Sequence, residues 1–217
     1  ATSTCIPVSW NQFSEKVSKV SRALVDLGVQ AQENIGVFSQ NKPECLYTDF
    51  GAFGVRAVTV PLYATSSEAQ VHYILQDAAI RFLFVGEQYQ YDVASRVQNL
   101  CHTLKRIIVF DSSVKLAPGD TNSLYYEDFL ALGDNMELQQ QVDKLTAESS
   151  PQDLANILYT SGTTGESKGV MLHHSCYEAA FKAHHGRLTT LGEQDVVMNF
   201  LPFTHIFERA WSYYCLD

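Results

Sequence analysis

Apolar residues recur along the chain with two different periods. Between residues 9 and 27 they are spaced three or four positions apart, which predicts an amphipathic helix that Ser9 or Asn11 can cap and Gly28 can end. Further helices are predicted at residues 67–78 and 87–101, and from Pro43 onward. Short apolar runs at residues 34–39, 57–61, 81–86 and 106–110 predict buried strands.

Strands and helices alternate with short connections through the first 110 residues. This alternation is typical of βαβ units, so the predicted fold class is α/β, with a mostly parallel, doubly wound sheet and helices on both faces. The remaining elements are a turn-rich connection at 111–123, helices at 126–132, 137–145, 174–185 and from 203, and strands at 154–158, 170–172 and 195–202. His174 or Ser175 can cap the helix at 174–185. We place a boundary between an α/β subdomain, residues 1–150, and a second part, residues 151–217.

Composition narrows the class of protein. The 217 residues are 46% hydrophobic, which is enough apolar material for a sizeable core, and the net charge is −9, which disfavours nonspecific binding to nucleic acid. Five dispersed cysteines, with no Cys-x-x-Cys pair, favour reduced thiols and a cytoplasmic protein. The sequence offers neither a secretory signal nor a membrane anchor, which leaves peripheral membrane contact open.

The residues after the strand at 154–158 have the composition of a polyanion site. The run from Tyr159 to Val170 reads YTSGTTGESKGV, in which hydroxyl side chains and glycines precede Lys168. Glycines that adopt positive φ let backbone N–H groups converge on phosphate oxygens, and this role is predicted for Gly162, Gly165 and Gly169. The run differs from a Walker loop, because Ser167 and Gly169 flank the lysine and a second apolar run follows.

This stretch resembles the phosphate loop of the adenylate-forming superfamily, which includes acyl-CoA synthetases, with Ser167 in place of the usual proline. Residues 58–67, VTVPLYATSS, are also similar to a stretch near the start of these enzymes. The resemblance implies ATP as a substrate and Mg²⁺ bound at Thr160. It implies that phosphate is held by Ser161, Gly162, Thr163, Thr164, Gly165 and Lys168.

A second motif, LPFTHIFER at residues 201–209, is similar to the signature of long-chain fatty acyl-CoA synthetases. A histidine just past the carboxyl end of a strand lies where open α/β sheets collect ligands. His205 is therefore a candidate for substrate contact, although a hydrogen-bonded structural histidine has the same sequence context. Two interpretations of Glu208 and Arg209 are equally compatible with the sequence: a structural ion pair, and a role in substrate entry.

The predicted activity is ATP-dependent conversion of a long-chain fatty acid to acyl-AMP and then to acyl-CoA by the whole protein, with Lys168 and His205 in catalytic roles. The alternatives are an aryl- or medium-chain acyl-CoA ligase, a phosphotransferase and a noncatalytic nucleotide-binding domain. The final helix has no C-cap signal, and the adenine and coenzyme A sites of the resembled family cannot be assigned. We therefore expect a fragment that folds without turnover. A homodimer is compatible with the sequence.

Overall fold

The computed structural model describes residues 6–160 and 167–216, which form helices around one sheet. The helices are α1 (Trp10–Asp26), α2 (Pro43–Gly54), α3 (Glu68–Asp77), α4 (Gln88–Gln98), α5 (Tyr126–Leu132), α6 (Gln139–Ala147), α7 (His174–His185) and α8 (Ile206–Leu216). The strands are β1 (Asn34–Phe38), β2 (Val58–Leu62), β3 (Phe82–Val85), β4 (Arg106–Val109), β5 (Ser123–Tyr125), β6 (Leu154–Thr160) and β7 (Lys168–His173).

Local sequence signals explain where the early helices begin and end. The Ser9 hydroxyl accepts the Gln12 backbone N–H, and the Gln12 side chain accepts the Ser9 backbone N–H, which closes a capping box at the start of α1. Ser67 makes the same arrangement at the start of α3. Gly28, at φ +73°, follows the end of α1, as predicted.

The sheet of the described residues has the strand order β5-β4-β3-β1-β2-β6-β7. Every neighbouring pair is parallel except β6 and β7, which run antiparallel. The predicted doubly wound α/β fold is therefore confirmed. Since β6 and β7 extend this same sheet, the boundary at residue 150 stays a prediction about the whole protein.

Helices cover both faces of the sheet. Residues of α1, α2 and α5 share one buried cluster with Ile35 of β1, and residues of α3 and α4 share another with Val60 of β2. The connection that leaves β1 therefore passes over one face, and the connection that leaves β2 passes over the other. The carboxyl ends of β1 and β2 flank the kind of crevice where open α/β sheets bind ligands.

The predicted strand at residues 195–202 is wrong. The segment is not paired with the described sheet, and the side chains of Val196 and Met198 are 97% and 78% exposed. Near its end, the Asn41 side chain donates to the Leu201 carbonyl at 2.6 Å and accepts the Phe203 N–H at 3.0 Å. The apolar run does not make a strand here, because no neighbouring strand of the described sheet pairs with its backbone.

Two smaller predictions also need correction. The turn-rich connection ends in β5, a short edge strand parallel to β4. Neither His174 nor Ser175 caps α7, because the helix begins at His174 and its N-cap His173 makes no side-chain cap bond. Instead, two carbonyls of the turn before β6 accept the first N–H groups: Asp153 from His174 at 3.1 Å and Pro151 from Ser175 at 2.8 Å.

None of the described helices is both long enough and apolar enough to span a bilayer.

Candidate functional site

Two of the predicted phosphate-binding residues lie opposite each other at the carboxyl end of β6. Thr160 is the last residue of β6, and it pairs across the antiparallel ladder with Lys168, the first residue of β7. Both residues are exposed, and Lys168 forms no ion pair with any residue that the structure describes. β6 and β7 form a hairpin, and the ends of these two stems therefore present the Thr160 hydroxyl and the Lys168 cation side by side.

The other predicted phosphate ligands connect these two stems. They lie outside the described residues and stay predictions: Ser161, Gly162, Thr163, Thr164 and Gly165. Lys168 itself belongs to β7 and not to the connecting loop. The strand fixes its backbone, so the free movement of this cation is limited to its side chain.

Gly169 does not have the positive φ predicted for it, and its role is a different one. It is a strand residue paired with Tyr159, and it is not among the described glycines with positive φ, which are Gly28 and Gly119. A Cβ at residue 169 would lie 2.8 Å from the Ile157 Cγ2 and 3.3 Å from the Tyr159 Cζ. Glycine is required here because neighbouring side chains pack directly over the backbone.

A buried polar chain joins β6 to β2 and α7. Thr59 and Asn156 are paired residues of the two strands, and the Asn156 side chain donates to the Thr59 hydroxyl at 2.5 Å. Tyr177 of α7 donates its hydroxyl to the Asn156 side-chain oxygen at 2.7 Å. Buried polar groups are costly without partners, so these hydrogen bonds favour one register of β6 against β2.

A cavity of about 430 Å³ opens at the carboxyl ends of β1 and β2, in the crevice defined above. Ser39 and Asn41 follow β1, Thr65 follows β2, and Asn199 and Thr204 line the opposite wall. These side chains offer neutral donors and acceptors, and Tyr63, Phe200 and Phe203 add apolar surface. The cavity therefore combines polar and apolar walls and supplies no charge of its own.

His205 lies directly before α8, and its side chain is exposed. Its Nδ1 accepts the backbone N–H of Phe207 at 3.3 Å, so the neutral ring carries its proton on Nε2. His205 thus has a structural role at the start of α8 and can still present a donor to solvent. Among the described residues, no hydrogen bond joins it to Thr160 or Lys168.

The last residue of the second motif is a structural anchor. Arg209 Nη1 lies 2.5 Å from Asp49 Oδ2, and both side chains are almost fully buried. Its Nε donates to the Phe203 carbonyl at 2.7 Å, and Nη1 also donates to the Tyr213 hydroxyl at 2.6 Å. Burial alone would lower the pKa of Arg209, but the charge of Asp49 raises it. The ion pair considered between Glu208 and Arg209 is absent, because Arg209 pairs with α2 instead.

Thr160 is the residue predicted to bind Mg²⁺. Within the described residues, His, Cys, Asp and Glu side chains form no group able to hold a metal ion. Mg²⁺ keeps several waters and is often held jointly by protein oxygens and substrate phosphates. The exposed Thr160 hydroxyl fits such a shared site only together with a bound triphosphate.

The strand order and the helices on both faces of the sheet define a domain of the open α/β class. The sequence profile of the AMP-binding enzyme family matches residues 3–216. The chain belongs to this family.

Two named relatives belong to one class of enzyme. The chain is similar to fatty acyl-CoA synthetase A of Dictyostelium discoideum, with 32% identity over 209 residues, 94% of this chain and 30% of that protein. It is also 32% identical over 213 residues to long-chain-fatty-acid–CoA ligase 1 of Homo sapiens, with the same two shares. The chain thus spans about 30% of the length of these relatives.

Solved structures support the fold. A long-chain-fatty-acid-CoA ligase from Archaeoglobus fulgidus matches all of this chain and 40% of its own, with a TM-score of 0.75 and 23% identity. An anthranilate CoA ligase in complex with anthranoyl-AMP matches 79% of this chain and 31% of its own, with a TM-score of 0.67 and 25% identity. The seven-stranded sheet and its helices are therefore those of acyl-CoA synthetase structures.

Proposed function

We propose that the whole protein, of which these residues form part, activates a long-chain fatty acid with ATP and transfers the acyl group to coenzyme A. The observation that carries the proposal is the pairing of Thr160 with Lys168 at the carboxyl end of β6. These residues stand at the two ends of the sequence that resembles a phosphate loop. The names of the fatty acyl-CoA synthetase relatives support the choice of substrate class.

The proposed reaction has two steps. The fatty carboxylate attacks the α-phosphorus of ATP, which forms acyl-AMP and releases pyrophosphate. The thiol of coenzyme A then attacks the acyl carbon and releases AMP. Negative charge grows on the β- and γ-phosphates during the first step, and a fixed cation and hydroxyl lower the free energy of that transition state.

Each named residue has a defined part in this proposal. Lys168 holds a phosphate oxygen from its position at the start of β7. Mg²⁺, shared between Thr160 and the triphosphate, would supply further charge neutralisation. His205 contacts the fatty-acid carboxylate or the mouth of its binding site through Nε2–H. The remaining phosphate ligands are those predicted from the sequence between Thr160 and Lys168.

The test is palmitate-dependent ATP–pyrophosphate exchange by the full-length protein. We expect Lys168→Ala and Thr160→Ala to lower the exchange rate by roughly 10²- to 10³-fold, the usual effect of removing one preorganised donor from a developing oxyanion. Lys144→Ala, which changes an exposed lysine on α6, is the matched control and should leave exchange unchanged. Wild-type rates in the Thr160 and Lys168 variants would overturn the site assignment.

Two measurements separate the alternatives. Exchange with palmitate, octanoate and benzoate in turn distinguishes a long-chain ligase from a medium-chain or aryl ligase, and chromatography of the nucleotide products would indicate a phosphotransferase if ADP is released instead of AMP. His205→Ala should raise the KM for palmitate more than the KM for ATP.

For the 217-residue chain alone we expect ATP–pyrophosphate exchange to be absent, and robust exchange would refute that expectation. A cytoplasmic location, peripheral membrane contact and a homodimer stay predictions from the sequence.

A further inference from the structure

The two stems of the hairpin are held from one side by α3. The Tyr159 hydroxyl, on β6, donates to the Asp77 Oδ2 at 2.5 Å. The Tyr73 hydroxyl donates to the backbone carbonyl of Ser167, directly before β7, at 3.0 Å. The two tyrosine rings meet edge to face, with centroids 6.3 Å apart. One helix therefore makes a separate hydrogen bond to each stem.

The sheet alone gives these stems little support. The parallel pairing of β6 with β2 is at Thr59 and Asn156, well before Thr160. Beyond that point β6 pairs with β7, an edge strand in the described sheet, on which Val170 and Met171 are 45% and 63% exposed. A two-stranded hairpin is marginally stable by itself in water. Contacts from α3 are therefore placed where the sheet contributes least.

Asp77 is in an unfavourable place for α3 itself. It is the last residue of the helix, where the macrodipole disfavours a negative charge. Its carboxylate accepts a hydrogen bond from Tyr159, whose pKa is raised by burial and by the bond to Asp77. Asp77 thus contributes to the hairpin and not to the helix that carries it.

We propose that Tyr73 and Asp77 are positioning residues for the phosphate site, because they fix the backbone on both sides of the predicted loop. Tyr73 sets the approach to Lys168, and Asp77, through Tyr159, sets the approach to Thr160. Neither residue touches ATP in this proposal. It rests on the proposed function in one respect only, namely that the hairpin binds the triphosphate.

The test measures ATP binding and turnover separately in the full-length protein. Tyr73→Phe and Asp77→Ala should each raise the Kd and the KM for ATP by about five- to tenfold, the fold-change expected for one lost hydrogen bond. The KM for palmitate should change less than about twofold. Asp77→Asn, which keeps an acceptor for the Tyr159 hydroxyl, should restore most of the ATP affinity.

A matched control separates positioning from general stability. The Tyr125 hydroxyl donates to the Val114 carbonyl at 2.8 Å, near the opposite edge of the sheet. Tyr125→Phe removes the same type of bond as Tyr73→Phe and should leave ATP affinity unchanged. Once Tyr159→Phe has removed its donor, Asp77→Ala should produce no further rise in Kd, because the two residues act as a pair.

The outcomes distinguish this inference from the proposed function. If the wild-type protein is active and Lys168→Ala abolishes exchange, wild-type ATP affinity in Tyr73→Phe and Asp77→Ala overturns the positioning role and leaves the function standing. Equal loss of affinity in Tyr125→Phe also overturns it, since the effect is then general. If the protein binds ATP but activates no acid, the function fails and the Kd values still decide the positioning role. A wild-type protein that binds no ATP overturns both.

Discussion

The anchor formed by Asp49 and Arg209 can be tested by the isosteric change Asp49→Asn. The substitution keeps the shape of the side chain but removes its charge, and the Arg209 guanidinium stays buried beside it. Breaking a buried ion pair at one partner costs roughly 3–5 kcal/mol. Because asparagine keeps an acceptor oxygen, we expect the lower end, about 3 kcal/mol.

The assay is thermal and urea denaturation of the 217-residue chain at neutral pH. For a domain of this size, 1 kcal/mol corresponds to a change in Tm of about 2–4 °C, so the expected loss is roughly 6–12 °C. The control is Glu68→Gln, which removes a pair with Arg96 at a similar distance, 2.6 Å, but with both side chains about half exposed. Exposed pairs contribute less than about 1 kcal/mol, so this variant should melt close to the wild type.

A third variant tests the cause. Replacing the pair by apolar residues, Asp49→Leu with Arg209→Met, removes the unpaired charge and should recover much of the stability lost in Asp49→Asn. If Asp49→Asn lowers the unfolding free energy no more than Glu68→Gln does, the buried pair does not anchor α8. The position of His205, which depends on that helix, would then need another explanation.

Three further predictions concern the β6–β7 region. Gly169→Ala should destabilise the chain by about 1–3 kcal/mol, because its Cβ meets Ile157, whereas Gly192→Ala, whose Cβ would meet nothing within 4 Å, should be neutral in the same urea titration. Tyr177→Phe should cost about 1–3 kcal/mol by leaving the buried Asn156 oxygen without its donor, and a loss below that of Tyr125→Phe would contradict this reading. The Arg56 side chain lowers the pKa of Asp153 below its ordinary value of 3.8. The stability that this carboxylate supplies is therefore fully present above pH 3.8 and declines as the pH falls through the lowered folded-state pKa. In melting curves recorded between pH 6 and 2, Asp153→Asn should lack this part of the loss of stability in acid.

The regular elements of the first 110 residues are predictable from sequence because their signals are local. Apolar spacing and the hydroxyls of Ser9 and Ser67 depend on residues a few positions away, and the structure confirms the elements they predict. The carboxyl-edge location of Thr160 follows from the same logic, since it comes directly after an apolar run. These are cases where short-range chemistry and tertiary structure agree.

Other features depend on partners that are distant in sequence. Arg209 contacts Asp49 across 160 positions, and Tyr159 contacts Asp77 across 82, so neither pair has a local signature. Residues 195–202 form an apolar run of the length of a strand, but a strand also needs an adjacent backbone, and the run does not say whether one is present. The residue type of Gly169 predicts a positive φ at a phosphate site, whereas the side chains of Ile157 and Tyr159 across the ladder determine its role.

The exposed edge of β7 has a practical consequence for work with this chain. Its outer backbone groups form a template to which another extended segment can add, and the apolar side chains of Val170 and Met171 make such addition more favourable. Concentrated samples should therefore self-associate through this strand. Met171→Lys, which places a charge on this exposed strand, should therefore keep the preparation dispersed.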